Sequence, residues 1–203
     1  MKIILCKTEK LEFDVFNELL DKVSKEKRES LLKNRESMSA NTKLLSYICL
    51  RSYLCERLKL ENSKLEFLKN ENGKPYILNN PLYFNLAHTK DAFVIAFSRA
   101  ELGIDIEGER KISEKIKAKY FTEKEKNEDD VLIWTKKEAL VKLLGTGIKD
   151  ISKADTNRND VIFFTKESGN YKISCATEKF EETEFIEITT EEIIKEGILL
   201  EKI

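Results

Sequence analysis

Histidine, proline and glycine are scarce in this chain: one His, two Pro and seven Gly in 203 residues. So few punctuators leave no low-complexity linker, and a single imidazole excludes any His-rich metal site. The four cysteines, Cys6, Cys49, Cys55 and Cys175, are scattered singly without CxxC spacing. They form neither a zinc set nor a disulfide framework, and read as packed, reduced thiols of a cytoplasmic protein. No excess of either charge exists, since 36 basic residues face 37 acidic ones. Without a sustained basic stripe there is no nucleic-acid track. Long apolar runs are missing as well: Met1 and Lys2 lead into a strand too short for a signal peptide core, and nothing approaches a membrane span.

The chain does have enough apolar residues, 41%, to bury a sizeable core. Their periodicity predicts a strand over 2–6, helices over 15–33 and 39–59, and strands over 65–69, 75–78, 82–87 and 92–98. A second series follows: a strand over 102–107, helices over 112–119 and 131–144, and strands over 161–165, 171–177 and 183–189. Each half thus reads as strand, helix, then antiparallel strands. The expectation is an α+β fold of two similar subdomains, 1–101 and 102–203, each a sheet of about three or more strands packed on a long helix.

Chemistry concentrates after the sole histidine, His88. Along Leu102-Gly-Ile-Asp-Ile-Glu107 an extended chain puts Asp105 and Glu107 on one side, with Ile104 and Ile106 turned into the core. Two neighbouring carboxylates repel unless a cation lies between them, and hard oxygen donors suit Mg²⁺. In the later helix Trp134, Glu138 and Lys142 recur at i, i+4 and i+8, so a third carboxylate and an amine share a stripe. Taken singly each piece also suits a bland role, and in a chain with 36% charged residues a Glu and a Lys four apart are by default a solvated pair.

The joint order of these segments resembles the surfactin-type 4′-phosphopantetheinyl transferases. The resemblance runs through Gly73-Lys-Pro75, Asn85-Leu-Ala-His-Thr89, Leu102 to Glu107, Phe121-Thr-Glu-Lys-Glu125, Trp134 to Lys142 and Gly145-Thr-Gly147. Ser24 to Arg28 also looks like the family's opening region. The resemblance implies a monomer that moves the phosphopantetheine arm of coenzyme A onto a serine of an acyl or peptidyl carrier protein, in fatty acid or secondary metabolite biosynthesis. It further implies Mg²⁺ held by Asp105, Glu107 and Glu138, with Glu138 as base and Lys142 over the diphosphate. Lys27, Lys43, Lys74 and His88 would contact the phosphates of coenzyme A, and Glu125 would orient water or the metal shell, unless it is an exposed member of its charged run. Departures from the family pattern are Ala87 in place of a serine, Ser30 in place of a basic residue, and Thr42 where an arginine is expected, with Lys43 adjacent. The segment between Glu125 and Trp134 is also short for the family.

Carrier proteins are acidic, and residues 109–119 hold five basic residues, Arg110, Lys111, Lys115, Lys117 and Lys119, against Glu109 and Glu114. That segment is the candidate docking helix. Two other readings of the same residues are a magnesium-dependent phosphodiester hydrolase and a non-catalytic relative that binds coenzyme A or a carrier.

Overall fold

An exposed backbone at residue 59, in the left-handed region at φ 54°, ends the chain's longest helix, α3 (Met38–Leu58). Ser37 begins it by accepting the Ala40 N–H on its side chain. In between, Leu44, Ile48 and Cys55 turn inward as the periodicity demands. The structure, a computed structural model, describes every residue except Asn79 and Pro81, and only the backbone of Ile148.

Two compact units, each discontinuous in sequence, make up the chain. One comprises 1–3, 67–87 and 94–185, the other 4–66, 88–93 and 186–203. The expected boundary at 101/102 does not coincide with this division, because 67–87 and 94–101 cluster with the later residues.

In the second unit α3 packs against α1 (Phe13–Leu20), α2 (Lys25–Leu32) and α6 (Thr190–Leu199). The single helix expected over 15–33 is two helices. Between them the chain turns so that Lys22 and Val23 face inward, and the Lys22 ammonium donates to the carbonyls of Ile198 and Leu200. Helix α6 was not expected at all. Its start is a capping box, in which Thr189 accepts the Glu192 N–H and the Glu192 carboxylate accepts the Thr189 N–H. Gly197 lets it close on α3 and α1, since a Cβ there would lie 2.6 Å from Ile48 and 2.7 Å from Leu19.

The first unit is built on β6 (Leu102–Gly108), β8 (Tyr171–Thr177) and β7 (Ile162–Ser168), antiparallel in the order β6-β8-β7. Register pairs Gly103 with Ala176, Asp105 with Ser174 and Glu107 with Lys172. Helix α5 (Asp130–Leu144) lies on this sheet, its N-terminus capped by Asp129, whose carboxylate accepts the Leu132 N–H at 2.8 Å. Ile133, Ala139, Leu140 and Leu143 fill the space beneath it with Ala176, Val161 and Phe121. Ahead of it, α4 (Glu114–Tyr120) has no buried residue. A short hairpin, β2 (Leu68–Lys69) with β3 (Pro75–Tyr76), completes the unit's smaller pieces.

A four-stranded sheet has the order β4 (Tyr83–His88), β5 (Ala92–Ser98), β1 (Lys2–Lys7), β9 (Glu184–Ile188). The fold is therefore α+β with antiparallel pairing in the sheets of the first unit. Among the described residues no helix is long and apolar enough to cross a membrane.

Candidate functional site

Gly103 decides the geometry. A Cβ on it would sit 2.1 Å from the Ala139 carbonyl oxygen and 2.3 Å from the Leu143 nitrogen, so α5 rests its backbone directly on β6. Residues 103, 105 and 107 share one face of the strand. The carboxylates of Asp105 and Glu107 are therefore turned toward α5 rather than toward open solvent, and the helix stripe of Glu138 and Lys142 meets them. Asp105 is only 4% exposed.

Lys142 Nζ donates to Asp105 Oδ1 at 2.7 Å and to the Ile104 carbonyl at 3.1 Å. Burial pushes the Asp105 carboxyl up to about 7, the Lys142 ammonium opposes this, and the charges of Glu138 and Glu107 add to it. Glu107 is likewise raised, first by burial, against which Arg110 acts, and then by the charge of Glu138. Three carboxylates and one ammonium thus form a single electrostatic group. Arg110 Nη2 donates to Glu107 Oε1 at 2.9 Å and its guanidinium lies 5.8 Å from the Trp134 ring centroid. The Trp134 indole N–H is buried without a partner at bonding geometry, and its dipole favours the ionised form of Glu107.

A cavity of about 260 Å³ opens beside this group, lined by Asn72, Lys74, Asn85, Glu138, Val141, Lys142, Gly145 and Gly147 among others. Lys74 Nζ donates to the carbonyls of Leu102 at 3.1 Å and Leu143 at 3.4 Å, which satisfies the C-terminal end of α5. Burial lowers its pKa. Asn72 donates to the Gly145 carbonyl at 2.6 Å, tying the 70–74 turn to the residues after α5.

Hard carboxylate oxygens are the right donor class for Mg²⁺. Asp105 Oδ2 is buried and has no hydrogen-bond partner, so it retains the lone pairs a cation would use. Among the described residues, however, no three His, Cys, Asp or Glu side chains converge closely enough to hold a metal ion. The donor set fits the ion in chemistry, and Asp105 supplies a buried oxygen with no competing bond.

The remaining residues singled out from the sequence lie elsewhere or do other work. Lys27, Lys43 and His88 belong to the other unit. There Lys27 Nζ stands 4.3 Å from the Tyr47 ring centroid, while Lys43 and His88 are exposed. Thr42 is fully buried, bonded through Oγ1 to Thr8 at 2.7 Å and to the Lys90 carbonyl at 2.8 Å, so an arginine has no room at that position. Ala87 is buried and Ser30 exposed. Glu125 is not an exposed member of its charged run. It is 0% exposed and pairs at 2.8 Å with Lys137, itself 1% exposed. Its oxygens also accept the N–H of Thr122 at 2.7 Å, the N–H of Thr156 at 2.9 Å and the Thr156 hydroxyl at 2.7 Å.

Asn85 and Lys137 were passed over in the sequence. Asn85 Oδ1 accepts the Ile104 N–H at 2.9 Å and so fixes β6 one residue before Asp105. No local pattern announces that bond. Lys137 was detectable, because it lies at i+4 from Ile133 and i−3 from Leu140, on the buried stripe of α5.

Comparison with known proteins agrees with this part of the chain. The model of the 4′-phosphopantetheinyl transferase superfamily matches residues 101–194. The 4′-phosphopantetheinyl transferase gsp of Aneurinibacillus migulanus is 34% identical over 145 residues, 66% of this chain and 61% of that protein. Sfp of Bacillus subtilis (strain 168), of the same name, is 30% identical over 138 residues, covering 62% of each chain. The psf-1 transferase of Bacillus pumilus is 33% identical over 140 residues, 62% of this chain and 59% of its own. The matches thus span about three fifths of the length of these curated relatives. Residues 101–194 are thus similar to the 4′-phosphopantetheinyl transferase superfamily, and somewhat more of the chain is similar to the transferases of that name.

Proposed function

We propose that this chain transfers the 4′-phosphopantetheine arm of coenzyme A to a serine of an acyl or peptidyl carrier protein, releasing 3′,5′-ADP. The observation that carries the reading is the meeting of Asp105, Glu107, Glu138 and Lys142 beside one cavity, within the stretch shared with the superfamily. A solvated surface pair does not place an ammonium on a carboxylate that is 4% exposed.

In the reaction the carrier's serine oxygen forms a bond to the phosphorus next to the pantetheine. The bond from that phosphorus to the bridging oxygen breaks, and its electron pair leaves on 3′,5′-ADP. Glu138, half-buried and facing the cavity, takes the serine proton. Lys142 stabilises charge on the departing nucleotide. Asp105, Glu107 and Glu138 would hold Mg²⁺, which supplies charge neutralisation on the diphosphate oxygens. Lys74 lines the same cavity and keeps one N–H beyond its two backbone bonds for a phosphate. By resemblance alone Lys27, Lys43 and His88 are further candidates for phosphate contacts, and Lys43 and His88 are exposed. The recurrence of strand, helices and antiparallel strands in both halves of the chain supports a pseudo-twofold pair of subdomains, and the family resemblance implies a monomer. A cytoplasmic location fits four free, buried cysteines.

The test is intact mass of an apo carrier protein after incubation with the chain, coenzyme A and Mg²⁺. A gain of one phosphopantetheine per carrier is expected, and chelator should abolish it. Release of 3′,5′-ADP without a modified carrier would favour the hydrolase, and no change in any reactant would leave a binding protein.

A further inference from the structure

Directly across the β6-β8 ladder from Asp105 stands Ser174, on the same face of the sheet. Ser174 is 0% exposed and its hydroxyl has no hydrogen-bond partner. Asp105 is in the same condition at one atom: Lys142 takes Oδ1, while Oδ2 is buried and unpartnered. Two such atoms on paired residues are not independent facts. Leaving a buried polar group unsatisfied is costly, more so for a charged oxygen. Directly opposed residues have Cβ atoms about 4.5–5.5 Å apart, which is one rotation of a serine χ1 from a hydrogen bond. On the far side of Ser174 its partner on β7 is Thr165, which is exposed, so the hydroxyl's enclosed neighbour along this row is Asp105.

We propose that Ser174 is a positioning residue, whose hydroxyl donates to Asp105 Oδ2 and locks the carboxylate plane for its cation. The proposal rests on the transferase reading given above. With Oδ1 fixed by Lys142 and one lone pair of Oδ2 fixed by Ser174, the carboxylate cannot swing, and the other lone pair of Oδ2 is presented in one direction. Donors behind a metal-binding carboxylate act in this way, and their loss typically costs about 10–100-fold in metal affinity. Ser174 touches neither substrate nor metal, so its removal should raise the Mg²⁺ requirement rather than abolish chemistry.

Two variants of the full chain separate a hydrogen bond from simple packing. Ser174→Ala removes the hydroxyl and a little volume, while Ser174→Cys keeps the volume but donates weakly. Mg²⁺ binding is measured by calorimetry without coenzyme A or carrier, and the Mg²⁺ concentration for half-maximal transfer is measured by intact mass. Thermal melting without Mg²⁺ checks that both variants fold. Expected for both is a Mg²⁺ dissociation constant and a half-maximal concentration raised by about tenfold, with lost transfer recovered at saturating Mg²⁺. Wild-type values in both variants would overturn the proposal. A weakened Ala variant beside a wild-type-like Cys variant would also overturn it, because volume alone would then be at work. Wild-type chain that neither binds Mg²⁺ nor modifies a carrier would instead remove the transferase reading, an outcome visible before any variant is compared.

Discussion

Glu125 and Lys137 form an ion pair enclosed on every side, at 0% and 1% exposure. Burial works against the Glu125 charge, but the bonds from Lys137, Thr122 and Thr156 together hold its carboxyl below the ordinary value of 4.5. Breaking such a pair at one end strands a buried charge, so Glu125→Gln should cost about 3–5 kcal/mol in urea unfolding. Glu125→Gln with Lys137→Met should cost less than the sum of the two single losses. The sign of the pH dependence follows from the depressed carboxyl. Its contribution is fully present above 4.5 and is lost as the pH falls through the folded value. The stability gap between wild type and Glu125→Gln should therefore narrow on acidification, and a gap that widens would contradict the assignment. Glu138 and Lys142 call for a different comparison. Under the proposed mechanism Glu138→Gln loses the base and Lys142→Met loses charge on the leaving group, each lowering kcat by at least ~100-fold. Because both act on one transition state, the double variant should be far less impaired than the product of the two losses. Single-turnover rates that simply multiply would return the pair to a structural role.

At the scale of elements, the contact between β6 and α5 sets the site, and it depends on Gly103. Gly103→Ala drives a methyl into helix backbone 2.1 Å away, where no flexible side chain can yield. Overpacking of this kind costs about 1–3 kcal/mol, and contact with backbone puts this case at the upper end. The expected result is a lowered melting temperature together with loss of transfer, since strand and helix carry separate halves of the carboxylate group. Full activity with unchanged stability would show that α5 can lift without consequence. Most of these elements were legible. Trp134, Glu138 and Lys142 recur with the helical period, and α5 runs over 130–144. Alternation in 102–107 correctly gave Asp105 and Glu107 a common face, but which face the helix would cover is a tertiary fact. Only the missing Cβ of Gly103 hinted at it. The break between α1 and α2 was hidden for a similar reason, because Lys22 and Val23 turn inward for partners far along the chain. Helix α6 is legible too, because Thr189 and Glu192 spell a capping box, but the sequence reading ends with the strand over 183–189.

For the whole molecule, a formal net charge of −1 gives no long-range pull on an acidic partner, so any steering must be local. Around α4 the structure removes two of the five expected charges from that role. Arg110 is paired with Glu107, and Lys117 bridges Glu114 at 2.7 Å and Asp130 at 3.0 Å. Lys111, Lys115 and Lys119 remain exposed, and α4 buries none of its residues. Ile116 and Tyr120 pack α4 on the core, so its lysines stand on the outer side, and under the proposed function they are suited to meeting an acidic carrier in a contact that salt weakens, the screening length being about 10 Å at 0.1 M. Lys115→Glu with Lys119→Glu should then raise KM for the carrier by about tenfold while leaving kcat near wild type, since neither side chain lines the cavity. Raising the salt concentration should weaken the wild-type enzyme toward the double variant and change the variant little. Rates measured against carrier concentration at two ionic strengths decide the matter. If the variant keeps both the wild-type KM and its salt dependence, carrier docking belongs to another surface, and the α4 lysines serve only to solvate the outer side of the helix.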